Sequence, residues 1–371
     1  MKVALDVSAV PPKMAGAGRY VAELARRLPE RGVLTTLVTR RDDTDRWAAL
    51  SPDASLAAIV PKARVPRLAS EAFVLGESAA ARQSDLWHGP HYTMPRRRAT
   101  PCVVTIHDMT FFSNPEWHER SKVIFFRRAI TYSARHARVL VCVSDYSARL
   151  LNEILPGHGP VVVAPLGVAL ETFRPDSSGD DDLLLSQGLR RGVPYIFFVG
   201  TVDPRKGLDV LLESFAELAA ESDDIELWLA GQAGWGTGPI ESAIAAHPFA
   251  ARIRRLGFVT DAVLPALYRQ ARVVAYPSRG EGFGLPVLEA MACGSMVVTS
   301  ADTVMADVAG DAAALVPIGD TGALAQGLRD ALQMTGDERA ARSRRARGRA
   351  ECFTWDACLD QHVRAYQEAL G

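Results

Sequence analysis

Short apolar runs rich in β-branched residues recur along the first half of the chain: VALDV (3–7), TLVT (36–39), DLWHG (85–89), CVVTIHD (102–108), VLVCVS (139–144) and VVVAPL (161–166). Each is strand-length and bounded by turn residues, which predicts buried strands. Between them, segments such as GRYVAELARRL (18–28) place apolar residues three and four apart, the spacing that lines one face of a helix. Strands alternating with helices predict a parallel sheet with right-handed crossovers. From Glu171 to Pro194 the composition turns to Asp, Ser and Gly, the mark of a linker. The alternation then restarts with YIFFVG (195–200), a helix over about 207–221, IELWLAG (225–231), RIRRLGFV (252–259), VVAYPS (273–278), a helix from about 286 and MVVTS (296–300). An Arg-rich helix over 338–350 and an amphipathic helix in 353–371 close the chain.

This pattern predicts an α/β protein of two doubly wound, Rossmann-like domains with a cleft between them. The expected division is an N-terminal Rossmann-like domain over 1–172, a linker over 173–193 and a C-terminal Rossmann-like domain over 194–350. The last helix, 351–371, is expected to return to the N-terminal domain. A length of 371 residues excludes a single small module, and 48% hydrophobic with 23% charged residues excludes wholesale disorder. The cysteines at 102, 142, 293, 352 and 358 form no CxxC pair, so neither a disulfide framework nor a zinc knuckle is indicated. The reading is a reduced cytoplasmic protein with buried thiols. Asp6 interrupts the first apolar run, which reads as a core strand rather than a signal peptide, and no stretch reaches membrane-spanning length. A net charge of −1 conceals opposed halves: residues 1–170 hold 23 basic against 15 acidic side chains, the remainder 19 against 28.

The segment YPSRGEGFGLPVLE (276–289) carries the most chemistry. A strand ending at Ser278 meets a glycine-rich turn, and Pro286 suits the start of a helix, so backbone N–H groups around Gly282, Phe283, Gly284 and Leu285 face an anion. Glu281 precedes that helix and Glu289 lies inside it, which fits sugar hydroxyls for the first and ribose hydroxyls for the second. A plain strand-to-helix turn with capping glutamates is the other reading. Arg205 and Lys206 follow Gly200 and Thr201 at a strand end, where two cations neutralise a diphosphate leaving group; a solvated loop pair is the alternative. The first turn, AVPPKMAGAGRY (9–20), opens a helix at Gly16 and Gly18 but lacks the third glycine of a dinucleotide fingerprint. His107 ends a strand beside Asp108, as a satisfied core histidine or as a positioning group.

Taken together these segments resemble the retaining glycosyltransferases of family 4, glycosyl transferases group 1, which have the GT-B fold. EGFGLPVLE (281–289) is similar to the paired-glutamate signature, GTVDPRKGLDVLLESF (200–215) to the diphosphate clamp, LGFVTDAVLPALYRQA (256–271) to the nucleobase segment that includes Val259, and VTIHD (104–108) to the strand-end histidine. The chain departs from many members in carrying Thr201 where they have Arg. The resemblance implies His107, Glu281, Arg205 and Lys206 in catalysis. It implies Gly16, Gly18, Gly200, Thr201, Val259, Ser278, Gly282 to Leu285 and Glu289 at the donor, with Arg19 and Asp108 toward the acceptor; Asp108 either orients His107 or meets the acceptor. Retention of configuration is implied, with the leaving phosphate receiving the acceptor proton.

The co-substrate implied is a nucleoside-diphosphate sugar, with GDP-mannose favoured and UDP-linked donors open, and no other cofactor. Asp43 with Asp45 and Asp180 with Asp182 match a metal-binding Asp-x-Asp spacing, but both sit in polar stretches and read as solvated acids, so no metal is expected. Residues 116–138 join Val123, Ile124, Phe125, Phe126 and Ile130 to Arg120, Lys122, Arg127, Arg128, Arg135 and Arg138, with Arg96 to Arg98 nearby. That is a core helix with a basic outer face, or a surface for anionic lipid at the inner membrane face or for an anionic or lipid-linked hydroxyl acceptor. No aromatics are interleaved in a nucleic-acid-binding pattern. The rival functions are a sugar-nucleotide epimerase of the same shape and a catalytically silent nucleotide-sugar-binding relative.

Overall fold

The computed structural model describes residues 1–14, 16–189 and 192–371, with the Arg64 side chain left aside. Ala15 of the first turn, and Arg190 and Arg191 of the expected linker, lie outside the described residues. The chain divides into two compact units. One comprises Met1–Glu116, Arg120–Gly167 and Trp355–Gly371; the other comprises Trp117–Glu119 and Val168–Thr354.

The first unit is built on seven parallel strands: β1 (Lys2–Asp6), β2 (Leu34–Arg40), β3 (Ser55–Val60), β4 (Leu86–Gly89), β5 (Cys102–Ile106), β6 (Val139–Cys142) and β7 (Val161–Val163), in the order β3-β2-β1-β4-β5-β6-β7. The central strands β4, β5 and β6 are buried at every position, which is why they read as unbroken apolar runs. The C-terminal helix Trp355–Leu370 belongs to this unit. A buried polar network ties it to the sheet: His88 Nδ1 meets Tyr366 Oη at 2.8 Å, His88 Nε2 meets Thr105 Oγ1 at 2.9 Å, and Tyr20 Oη lies 2.7 Å from Thr105 Oγ1 and 2.8 Å from His362 Nε2.

The second unit has six parallel strands: β8 (Tyr195–Val199), β9 (Glu226–Ala230), β10 (Ile253–Gly257), β11 (Val273–Tyr276), β12 (Val297–Ser300) and β13 (Ala314–Val316), ordered β10-β9-β8-β11-β12-β13. The strand order reverses between β1 and β4 in one sheet and between β8 and β11 in the other. Such a reversal sends neighbouring crossovers to opposite faces and opens a crevice at the carboxyl ends of the two strands.

Several expectations need correction. Strands β3 and β13 escape the periodicity reading because they are edge strands and partly exposed. The described part of 173–193 is not a solvated linker: Phe173, Leu184 and Leu189 are buried, and residues Asp180–Ser186 form a helix. Asp180, expected in solvent, is buried and paired twice with Arg269, at 2.6 and 2.8 Å. Asp43 likewise is buried, its Oδ2 2.9 Å from Arg40 and 2.5 Å from Arg46. Polar composition marked these acids as exposed, but cations distant or adjacent in sequence neutralise them. Cys352 is exposed while the other four thiols are buried. The units divide at Gly167–Val168 and Thr354–Trp355 rather than at 172 and 350. Among the described residues no helix is long and apolar enough to cross a membrane.

Candidate active site

The crevice of the second sheet is framed by two loops, the one after β8 and the one after β11. In the first, the Asp203 side chain accepts from the Arg205 N–H at 3.1 Å and Pro204 opens a single 3-10 turn, Pro204–Lys206. That cap and the fixed proline φ place two successive cations at one strand end. Gly207 follows at φ 68°, and a Cβ there would stand 2.1 Å from the Pro277 carbonyl oxygen. Only glycine lets the two loops approach this closely. A further hydrogen bond joins the loops: the Arg279 N–H donates to the Arg205 carbonyl at 2.8 Å, with Ser278 Oγ 3.1 Å from the same oxygen.

Glu281 lies at the centre of this arrangement. Its Oε1 accepts from Lys206 Nζ at 2.5 Å, Tyr276 Oη at 2.9 Å and Ser278 Oγ at 2.9 Å, while Oε2 accepts from Arg205 Nη1 at 2.8 Å. Lys206 Nζ also donates to Tyr276 Oη at 2.8 Å, and Arg205 Nη1 to the Gly280 carbonyl at 3.0 Å. Burial alone would raise the Glu281 carboxyl, but Arg205 and Lys206 outweigh it and hold the group down to about 2. Burial pulls Lys206 below its ordinary value against the attraction of Glu281. Asp203 Oδ1 also lies 3.9 Å from Arg205 Nε, so two carboxylates face the two cations in this desolvated site.

The remaining expected donor residues of the second unit lie at the ends of β8, β10 and β11 or at the helix that follows. The helix Leu285–Ala292 begins one residue earlier than read, with Gly284 as N-cap at φ 94° and Pro286 in its first turn. Pro286 has no N–H, and the Val287 and Leu288 N–H groups donate to the Gly284 carbonyl at 3.0 and 3.3 Å. Gly282, Phe283, Gly284 and Leu285 are buried, and the Phe283 ring packs edge-on against Phe353 at 5.8 Å. Glu289 is buried too and accepts from Tyr268 Oη at 3.1 Å. The two glutamates therefore occupy different settings: Glu281 is clamped by cations, Glu289 by a tyrosine. Gly200 and Thr201 follow β8, and half-buried Val259 follows β10.

His107, Asp108, Gly16, Gly18 and Arg19 belong to the first unit. Gly16 opens the helix Gly16–Arg27, with Gly18 buried in its first turn and Arg19 partly exposed. His107 Nε2 lies 2.7 Å from the Pro90 carbonyl oxygen. A carbonyl only accepts, so Nε2 carries the proton and Nδ1 the lone pair. Burial lowers the ring's basicity, which keeps it neutral. Asp108 does not orient that ring by hydrogen bonding: Oδ1 accepts from the Thr110 N–H at 3.0 Å and Oγ1 at 2.6 Å, and Oδ2 from Tyr92 Oη at 3.2 Å. Sequence reasoning missed Tyr276 and Asp203. A tyrosine ending a strand two residues before Ser278, and an Asp-Pro ahead of two cations, were the available signals.

Two Rossmann-like units, one with a pair of cations and a glycine-rich helix start at its sheet reversal, define a protein of the GT-B fold. Comparison with known proteins agrees. The family described as Glycosyltransferase Family 4 matches residues 14–172, and that described as Glycosyl transferases group 1 matches residues 193–334. The chain is 31% identical over 285 residues to the O-antigen chain mannosyltransferase B of Escherichia coli, covering 76% of this chain and 74% of that protein. It is 28% identical over 415 residues to a D-inositol 3-phosphate glycosyltransferase of Geodermatophilus obscurus, covering 98% and 88%. Among solved structures, Anabaena HepE in complex with UDP-glucose superposes with a TM-score of 0.78 at 19% identity, covering 99% of each chain. The chain belongs to glycosyltransferase family 4, the glycosyl transferases group 1, and is an enzyme that transfers sugars.

Proposed function

We propose that this enzyme is a retaining, metal-independent hexosyltransferase that moves mannose from GDP-mannose to an acceptor hydroxyl in saccharide or glycolipid assembly. The observation that carries the reading is the placement of Arg205 and Lys206 together at the reversal point of the second sheet, beside a glycine-rich helix start. In this reading the acceptor oxygen bonds to the anomeric carbon as the bond from that carbon to the phosphate oxygen breaks. The nucleoside diphosphate leaves with the electron pair and takes the hydroxyl proton. Arg205, Lys206 and the amides of Phe283 to Leu285 stabilise the charge that grows on the leaving oxygen. Those two side chains fill the role a divalent cation has in other transferases. Glu281 holds the clamp in register, Glu289 meets the ribose, and neutral His107 positions the sugar. The mannosyltransferase relative supports mannose as the group moved.

The same reading puts the protein in the cytoplasm, with the basic face of its first unit against anionic lipid at the inner membrane surface. Arg96, Arg127, Arg128 and Arg135 line one groove there, and Ile124 is exposed on the same helix, Arg120–His136. Sedimentation with phosphatidylglycerol vesicles, weakened by salt, is the expected result.

Thermal-shift titration with GDP, UDP and ADP comes first, because a ligand bound only by the folded state raises its stability. GDP giving the largest shift, and GDP release from GDP-mannose with an acceptor product whose anomeric configuration matches the donor in NMR, are expected. An altered sugar nucleotide formed without acceptor, or tight binding with no turnover, would overturn the reading. Turnover surviving chelator unchanged is expected as well.

A further inference from the structure

Between the C-terminal helix Trp355–Leu370 and the first sheet, the buried hydrogen bonds form a chain that runs in one direction. His362 Nδ1 lies 2.8 Å from the Cys358 carbonyl oxygen, which only accepts, so Nδ1 carries the proton and Nε2 the lone pair. Tyr20 Oη, 2.8 Å from that Nε2, therefore donates to it. A phenol has one proton, so the Thr105 hydroxyl, 2.7 Å away, donates to Tyr20 Oη. Thr105 has then used its own proton and accepts from His88 Nε2 at 2.9 Å, which leaves His88 Nδ1 to accept from Tyr366 Oη at 2.8 Å. Burial keeps both histidines neutral, as this pattern requires.

One backbone carbonyl of the closing helix thus sets the polarity of five side chains, each fully buried. What the chain supports lies on the far side of Tyr20. The Tyr20 ring meets the His107 ring edge to face, with centroids 5.2 Å apart and planes at 86°. Among the described residues His107 makes one side-chain hydrogen bond, from Nε2 to the Pro90 carbonyl. A single bond fixes a ring nitrogen but not the plane of the ring; the neighbouring rings of Tyr20, His91 and Tyr92, at 5.2, 5.2 and 5.4 Å, do that. Tyr20 also sits two residues beyond Gly18 on the helix Gly16–Arg27, so its hydroxyl bonds hold that helix start as well.

We propose that Tyr20 and His362 are positioning residues for sugar transfer: through the bond between them, the C-terminal helix holds the His107 ring in its working plane. The role rests on the reading above, in which His107 positions the transferred sugar. Neither Tyr20 nor His362 touches a reacting atom in that reading. Cutting their bond releases the Tyr20 ring and with it the plane of His107, and a misplacement of about 1 Å in a positioning group costs up to about a hundredfold in rate. A residue 342 positions from Tyr20 in sequence thereby acts on the reaction through the first helix of the chain.

The test measures GDP release from GDP-mannose, with water as acceptor, by the full chain and its variants, alongside thermal melts. Tyr20→Phe keeps the ring and removes the bond; His362→Leu removes the acceptor. Each should lower kcat by about tenfold and leave the donor KM nearly unchanged. The double variant should be no slower than either alone, because both cut one link. His362→Gln, whose amide oxygen replaces Nε2 as acceptor, should restore most of the rate. Tyr366→Phe, which cuts the chain at its other end, should lose stability and keep its turnover. Full turnover in Tyr20→Phe, or a kcat that simply follows the melting temperature across all variants, would overturn the proposal. Nitrogen NMR of the imidazole rings should find the proton on Nδ1 of His362 and on Nε2 of His88 and His107; any other placement overturns the one-way chain. A folded wild type that releases nothing from GDP-mannose or UDP-glucose would instead overturn the transferase reading and the role resting on it, with the ring protons still open to the NMR measurement.

Discussion

Each unit buries a glutamate at the point where its sheet order reverses, and the two are held in opposite states. Glu281 receives four donors, two of them cations, and its carboxyl is kept down to about 2. Glu71 receives a threonine hydroxyl and shares one arginine with Asp6, and its carboxyl rises to about 7. Burial acts in the same direction on both, so neighbouring charge makes the difference. The clamp of the second unit is built with its counter-ion in place, whereas Glu71 of the first has a single arginine to share with a second acid.

The largest effect should come from breaking the clamp. Lys206→Ala removes one cation from a buried pair, and both consequences are expected: turnover falls about a thousandfold or more, and stability falls by about 3–5 kcal/mol. Steady-state kinetics and urea melts check the two separately. Full activity would show that the cations only serve the fold.

The two glutamates should then give opposite pH signatures. Glu281 is depressed from 4.5 to about 2, so its contribution is complete above 4.5 and is lost as pH falls toward 2. The upper figure is on the order of 3 kcal/mol, and Glu281→Gln should flatten that part of the stability curve. Glu71 is raised from 4.5 to about 7, so its contribution is present below 4.5 and lost as pH rises through 7. Glu71→Gln should therefore match wild type near pH 4 and exceed it near pH 8, by up to about 3 kcal/mol. Unfolding titrations between pH 3 and 8 on both variants would merge the comparison into one story if the slopes shared a sign.

Smaller effects mark the edges of the contrast. Tyr366→Phe leaves His88 Nδ1 buried without its hydroxyl partner and should cost about 1–2 kcal/mol in thermal melts. Asp209 pairs with Arg279 at 2.6 Å beside the clamp but is half exposed. Asp209→Ala should change stability by less than about 1 kcal/mol and leave turnover nearly untouched, since solvent screens such pairs. A large loss in that variant would extend the clamp beyond Glu281.

Much of this is legible in the sequence. Unbroken apolar runs such as CVVTI and VVAY became central strands because parallel strands are covered on both faces, and the Pro-Arg-Lys-Gly and Gly-Phe-Gly-Leu-Pro turns carry their own backbone geometry. Local chemistry determined those features, since a neighbour within a few residues supplies the cap, the φ angle or the period. Tertiary structure alone decided that Glu281 pairs with Arg205 and Lys206, about 75 positions away, that Asp180 is buried on Arg269, and that Glu71 lies within electrostatic reach of Asp6. Charge states and burial depend on what the fold brings alongside, and electrostatic partners separated by many residues leave no periodic trace along the chain.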